Sequence, residues 1–269
     1  MKFFCFLIFI TTLLLSGCAY DIERTTSETK NPQANIQFQR FGTAPQEGAK
    51  LIQPAQLQAG DILLSTASGI TSVGIRVFST SAVSHAAIYL GDQQVAEAVG
   101  SGVRIISLDD FMGHSRMSMA LRTPDFTPES ADVIRKFAED KVGTRYNFDG
   151  IILMMPFSIT RKICEISPFS SKSRYACLNL MAKVQLGNSK DTLDNTYFCS
   201  QFVLEAYNQA GHPITSADPV WVSPGDLLHM REGDTASIPS FNDLLYVGHL
   251  KLPGAPLQVK EPEVIAVTN

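Results

Sequence analysis

The stretch "SHAAIYLGDQQVAEAVG", residues 84–100, holds two β-runs on either side of Gly91-Asp92, which is a hairpin signal. Side chains alternate along a strand, so His85, Ala87 and Tyr89 share one face of the first run, and Val95, Glu97 and Val99 share one face of the second. With a three-residue loop at Gly91 to Gln93, Ala87 lies opposite Glu97 and His85 opposite Val99. Glu97 is then diagonal to His85 on the same face. A two-residue loop would turn Glu97 to the other face, so a meeting of the two groups requires an odd-length loop. A glutamate among apolar neighbours is costly unless it accepts a hydrogen bond, and an imidazole is a suitable donor. The competing reading of Glu97 is an exposed strand residue.

Outward from this hairpin, "LQAGDILLST" places a turn at Gly60-Asp61 and starts a buried strand at Ile62, and "GITSVGIRVFS" reads as a short helix. "SGVRIISL" and "MSMALRTP" are further strands, the second ended by Pro124. From Thr127 to Gly143 the pattern turns helical, with Thr127 as N-cap, Pro128 at the first helical position, Glu129 in the first turn and Gly143 past the end. Ala131, Ile134, Phe137, Ala138 and Val142 make its apolar stripe. The segment Ile151 to Asn195 contains the apolar run "IILMMPFSI", which Pro156 interrupts, so it is not a membrane span. Core packing is one reading of that run, and an acyl pocket or lid is another. Further on, "WVSPGDLLHM" predicts a short helix capped by Ser223, and "LLYVGHLKL" a final strand. Strands clustered early, helices later and one returning strand give an α+β order.

The 269 residues are 45% hydrophobic with a formal net charge of −4. One sizeable globular domain fits that length, and a slightly acidic chain without a Lys/Arg run argues against nucleic-acid binding. The opening "MKFFCFLIFITTLLLSGCAY" has a basic residue, an apolar run and small residues before Cys18, the layout of a secretion signal. Its end, Leu15-Ser16-Gly17-Cys18, resembles the bacterial lipobox. That implies residues 1–17 as a lipoprotein signal peptide, lipidation of Cys18 and anchoring to a membrane. Ala19 in place of Asp implies outer-membrane sorting, with the protein facing the periplasm. Residues 18–50 read as the lipidated cysteine and a disordered tether reaching roughly 30 Å. Residues 51–255 then form the folded domain and 256–269 a C-terminal tail. In an oxidising compartment the sequence neighbours Cys164 and Cys177 can form a disulfide, in which case Cys199 is the unpaired thiol; spacing alone does not fix the connectivity. No C-x-x-C or H-x-x-x-H pair is present, so no zinc site is expected.

Cys199 sits in "YFCSQFVLEAYNQAG", residues 197–211. Thr196 or Asn195 is the expected N-cap of a helix running through Gln209, with Cys199 in the first turn, where backbone N–H groups and the helix dipole favour an anion. Cys199, Phe202 or Val203, Ala206 and Ala210 share an apolar face, which points the sulfur toward the sheet. That geometry suits a core cysteine as well as a nucleophile. A nucleophile needs a base within hydrogen-bond reach, oriented by a third group. Of the five histidines, His85 has Glu97 on its face. His212 reads as a helix-end residue, and His114, His229 and His249 as surface or satisfied-core residues.

Together "GDILL" at Gly60, "SHAAIYLGDQQVAEA" at Ser84, "TRYNFDG" at Thr144 and "YFCSQFVLEAYNQAG" at Tyr197 resemble, in this order, the YaeF/YiiX-like lipoproteins. These are permuted papain-like amidases, a branch of the NlpC-type cysteine hydrolases in which histidine precedes cysteine. The resemblance implies a curved, mostly antiparallel sheet packed on a helix carrying the nucleophile. It implies Cys199 as nucleophile, His85 as base, Glu97 as the third residue and Tyr146 as a substrate-binding residue, with no metal or cofactor. The activity it implies is hydrolysis of a peptide or isopeptide bond in cell-wall peptides through an acyl-cysteine. A lipid acyl ester or thioester is the alternative substrate, for a hydrolase or acyltransferase. A non-catalytic envelope-binding lipoprotein is the further alternative.

Overall fold

A computed structural model of the chain describes residues 19–24, 34–67, 81–165, 171–186 and 196–254. The signal segment with Cys18, the helix read in "GITSVGIRVFS", Asn195 and the 256–269 tail lie outside the described residues. In chain order the elements are β1 (Tyr20–Arg24), β2 (Ala34–Phe38), β3 (Ile62–Ala67), β4 (His85–Gly91), β5 (Gln94–Val99), β6 (Gly102–Ser107), α1 (Leu108–Gly113), β7 (Ser115–Arg122), α2 (Pro128–Lys141) and β8 (Arg145–Tyr146). They continue with α3 (Phe148–Thr160), α4 (Lys162–Glu165), α5 (Ser171–Leu186), β9 (Thr196–Tyr197), α6 (Cys199–Gln209), α7 (Pro224–His229) and β10 (Leu245–Lys251).

Six strands form one antiparallel sheet in the order β10-β7-β3-β4-β5-β6. Alternation divides its side chains between two apolar layers. Ile62, Leu64, Ala86, Ile88, Ala96 and Ala98 pack with Phe202, Val203 and Ala206 of α6. Leu63, Ala87, Tyr89 and Val95 pack on the opposite face with Ile52, Leu57, Leu108 and Phe111. Because both faces of the central strands are covered, β4 reads as an unbroken buried run rather than an alternation.

The hairpin achieves the register that joins Glu97 to His85's face by a different route from the loop the spacing predicts. Ala87 does pair with Glu97. The loop, however, has two residues, Asp92 and Gln93, both with positive φ (50° and 58°), the signature of a type I′ turn. The missing residue is supplied by a register shift between Tyr89 and Gly91, where Leu90 is extra. A bulge inserts one residue in one strand, so the parity of the pairing is restored.

The cysteine helix is fixed to the sheet at its far end. The Tyr207 hydroxyl donates to the carbonyl of Gly60. Gly60 has φ +97°, and a Cβ there would sit 2.2 Å from the Phe126 ring, so the turn before β3 requires glycine. Next to it, buried Asp61 accepts from Arg122 Nε at 2.7 Å and from the Gln58 N–H at 2.8 Å. On the outer side of α6, Phe137 of α2 packs on Phe202 with ring centroids 5.7 Å apart. Helix α2 begins as read, with Thr127 accepting from the Ser130 N–H, but Val142 is exposed and is no part of the stripe.

Two boundaries differ from the sequence reading. Within the stretch read as a disordered tether, β1 pairs with β2, and Gln39 and Arg40 bond to Thr235 and Asp234. The Thr43 hydroxyl meets buried His249 at 2.9 Å, and Ile52 N–H donates to the His249 carbonyl. Polar residues satisfied by backbone and side-chain partners thus strap this segment onto β10 without any apolar period. Secondly, α3 runs through Pro156 and turns Met154 and Phe157 inward while Ile152 and Ile159 stay exposed.

The Cys164 and Cys177 sulfurs are 1.99 Å apart, joining α4 to α5, and Cys199 is free. A chain lacking its signal segment and carrying lipid on Cys18 is therefore expected to release one titratable thiol on unfolding without reductant, and three after reduction. Three thiols before reduction would contradict the bond. The linkage closes a short loop, for which the chain-entropy model gives a stabilisation of roughly 3 kcal/mol.

Candidate active site

Cys199 opens its helix later than the sequence suggests. Phe198 is the N-cap and makes no side-chain capping bond. Thr196, the expected cap, is extended because β9 pairs in parallel with β8, Arg145 beside Thr196 and Tyr146 beside Tyr197. Asn147 extends this pairing by donating its N–H to the Tyr197 carbonyl at 3.1 Å, and its side chain caps α3 through the Gly150 N–H. As a result Cys199 is the first helical residue, in the turn whose N–H groups have no intrahelical acceptor.

The same pairing delivers Tyr146. Burial first, and then the nearby Cys199, push its phenol above the ordinary range, so it stays protonated. Its ring packs edge-on to Phe148 and borders a small apolar cluster of Met154, Phe198 and Val220.

His85 is the first residue of β4 and is buried. By strand parity it belongs, with Glu97, to the face opposite α6, and its ring lies 6.2 Å from Phe111 on that side. Standing at the end of the strand, the imidazole nevertheless comes close enough to Cys199 for the sulfur to raise its pKa. Nucleophile and base therefore meet around the sheet's end, whereas the sequence points the sulfur only toward the sheet without saying which face the histidine shares.

Glu97 is 3% exposed. Its Oε2 lies 2.7 Å from His85 Nε2, which leaves Nδ1 of the ring for the sulfur. Its Oε1 accepts from Arg104 Nε at 2.9 Å and Nη2 at 2.7 Å. Burial resists ionisation of this carboxyl, but the hydrogen bonds and charges of His85 and Arg104 outweigh it and hold the pKa below the usual value. Burial likewise pulls the His85 pKa down, and the hydrogen bonds and charges of Cys199 and Glu97 override it, raising the pKa from 6.5 to about 10. The arrangement thus holds an imidazolium between a sulfur and a carboxylate.

Cys199, His85, Glu97 and Tyr146 come together as one site. Cys164 and Cys177 lie apart from it in their disulfide. Arg104 is the participant the sequence reading missed, although a signal was present. A two-residue turn at Gly100-Ser101 sets Glu97 opposite Arg104 in the β5–β6 pairing, and opposite charges across a strand pair attract. Among the described residues, no group of three or more His, Cys, Asp or Glu is disposed to hold a metal ion.

Comparison with known proteins bears on this geometry. The model of the family described as permuted papain-like amidase enzyme, YaeF/YiiX, C92 family, matches residues 56–151, a span with His85, Glu97, Arg104 and Tyr146 that ends before Cys199. The Escherichia coli (strain K12) protein described as probable lipoprotein peptidase YaeF is 42% identical over 273 residues, covering 100% of this chain and 98% of that one. The chain belongs to the permuted papain-like amidase family. As a member it is a cysteine peptidase or amidase. A crystal structure titled metalloprotein yiiX, from Escherichia coli O157:H7, covers 71% of this chain and 89% of its own at 16% identity, with a TM-score of 0.39. That score is too low to carry an argument about this site.

The site predicts a directional titration. With its pKa raised, the imidazolium's interactions contribute stability in full below the ordinary histidine value, and that contribution is lost as pH rises through about 10. NMR of the His85 ring is expected to give a midpoint near 10, moved downward by Glu97→Gln because a stabilising negative charge is lost. A midpoint near 6.5 in the native protein would contradict the arrangement.

Proposed function

We propose that the chain is an envelope-anchored cysteine hydrolase that cleaves a peptide or isopeptide bond in cell-wall peptides through an acyl-cysteine. The observation that carries this reading is the line Cys199–His85–Glu97–Arg104, in which a thiol at a helix start lies beside a buried histidine whose Nε2 is 2.7 Å from a carboxylate that Arg104 in turn holds. The lipobox at Cys18 and a full-length relative described as a lipoprotein peptidase support anchoring and a peptide substrate. No helix among the described residues is long and apolar enough to cross a membrane. Anchoring on this reading rests on the acylated cysteine, and Ala19 after it favours the outer membrane and the periplasmic side.

In the first half-reaction the Cys199 thiolate attacks the carbonyl carbon and the carbonyl oxygen takes the negative charge. The Cys199 N–H, unpaired in the helix ladder, is placed to receive that oxyanion. His85 gives its proton to the leaving nitrogen as the C–N bond breaks, leaving a thioester and a neutral imidazole. In the second half-reaction His85 takes a proton from water, the hydroxide adds to the thioester, and the C–S bond breaks to regenerate the thiolate and release a carboxylic acid, which gives its proton to solvent. Glu97 keeps the ring oriented and favours its protonated form, with Arg104 holding the carboxylate. Tyr146, beside the sulfur and the Met154–Phe198–Val220 cluster, lines the substrate side.

A second reading, hydrolysis or transfer of a lipid acyl ester or thioester, is favoured by the exposed apolar Phe148, whose ring packs against Tyr146. Incubating the purified chain with cell-wall peptides and, separately, with phospholipids distinguishes the two. New peptide fragments and an acyl-Cys199 adduct of matching mass are expected. Release of free fatty acid without peptide fragments would overturn the amidase reading in favour of the second. Whichever substrate turns over, Cys199→Ala is expected to abolish turnover and His85→Ala to lower it by about 10²–10⁴-fold.

A further inference from the structure

Helices α3, α4 and α5 carry apolar side chains that stand exposed among the described residues. In α3, Phe148, Ile152 and Ile159 follow one stripe at helical spacing and are 48%, 62% and 60% exposed. Ile163 of α4 is 67% exposed, and Leu180 and Val184, one turn apart on α5, are 66% and 77% exposed. The three helices are tied to one another. Thr160 and Gln185 side chains hydrogen-bond at 2.8 Å, tying the ends of α3 and α5, and the Cys164–Cys177 disulfide ties α4 to α5. Exposed large aliphatic residues scattered singly need no explanation; a cross-linked group of them does.

The charge around this surface selects the occupant. The whole chain has a net charge of −4, yet the exposed charged residues of α5 are Lys172 and Lys183, with no acidic residue on that helix. Lys172 and Lys183 are exposed and fall along one side of the Leu180–Val184 stripe. Aliphatic side chains flanked by lysines, on a helix too short to span a bilayer, are the composition of a helix lying in a membrane interface. Long lysine stems let the apolar atoms sink while the ammonium groups stay at the level of lipid headgroups.

We propose that the α3–α5 face docks onto an anionic lipid bilayer. It rests on the anchored reading of the preceding section only for how the chain reaches that bilayer. Docking turns the Phe148 end of α3 toward the lipid, and with it Tyr146 and the Cys199 site, so that substrate attached to or lying on the membrane meets the thiol at the surface.

The test uses the full lipidated chain in vesicles of dibrominated phosphatidylglycerol, a quencher of tryptophan, with vesicles of dibrominated phosphatidylcholine as the neutral comparison. Val184→Trp and Ile163→Trp are placed on the face. Leu51→Trp, at a residue 58% exposed beside β10, is the control. The buried native Trp221 is common to all and is subtracted. We expect the face tryptophans to be quenched at least about 3-fold more than the control in the anionic vesicles, and Lys172→Glu with Lys183→Glu to remove most of that difference. Equal quenching of face and control, or equal quenching of the face in neutral vesicles, would overturn the proposal. So would shielding of Val184→Trp in lipid-free detergent solution that grows with protein concentration, which would assign the face to a second copy. A chain that fails to enter vesicles at all would instead sink the anchoring reading, so the two failures are distinguishable.

Discussion

The Glu97 carboxylate is the constraint on which the site depends. A charge buried to this depth is tolerated only when its oxygens are occupied by charged donors, and here one oxygen takes His85 and the other takes Arg104. Each donor is supplied by a neighbouring strand in a particular register. The bulge at Leu90 brings Glu97 to the histidine's face, and the turn at Gly100-Ser101 brings Arg104 opposite it. Removing either would leave one oxygen of a buried carboxylate without its charged donor.

Local sequence carried much of this, and the exceptions have physical causes. Strand positions, the Thr127 and Ser223 caps and the face shared by His85 and Glu97 follow from periodicity and turn chemistry, which act over a few residues. The loop length did not follow, because a two-residue turn plus a bulge has the same parity as a three-residue loop. The helix start was misplaced because Thr196, a good cap by type, is drawn into pairing with Arg145, a partner far away in sequence. The strap over residues 39–50 reads as disordered in the sequence for a related reason. Much of its attachment to β10 and Arg231 comes through backbone carbonyls of Gly42, Thr43 and Lys50, and carbonyls leave no trace in composition.

Proximity of Cys199 to His85 was legible only through the ordered set of motifs, since parity alone places them on opposite layers. What reconciles the two is that both residues are the first of their elements, His85 of β4 and Cys199 of α6. Side chains at element ends escape the layer to which alternation assigns them, and functional groups from opposite faces of a sheet can meet there. The same end of the molecule holds Tyr146, placed by the short β8–β9 pairing, and leads through Phe148 to the exposed helical face.

The central claim is that the buried carboxylate–imidazole pair activates Cys199, and it can be tested without knowing the substrate. The rate of Cys199 alkylation by iodoacetamide at pH 7, followed by mass spectrometry of its peptide, should fall at least about tenfold in His85→Ala and substantially in Glu97→Gln, with the fold intact by circular dichroism. Equal rates in all three proteins would mean that Cys199 is a core thiol indifferent to its neighbours, and would contradict the account.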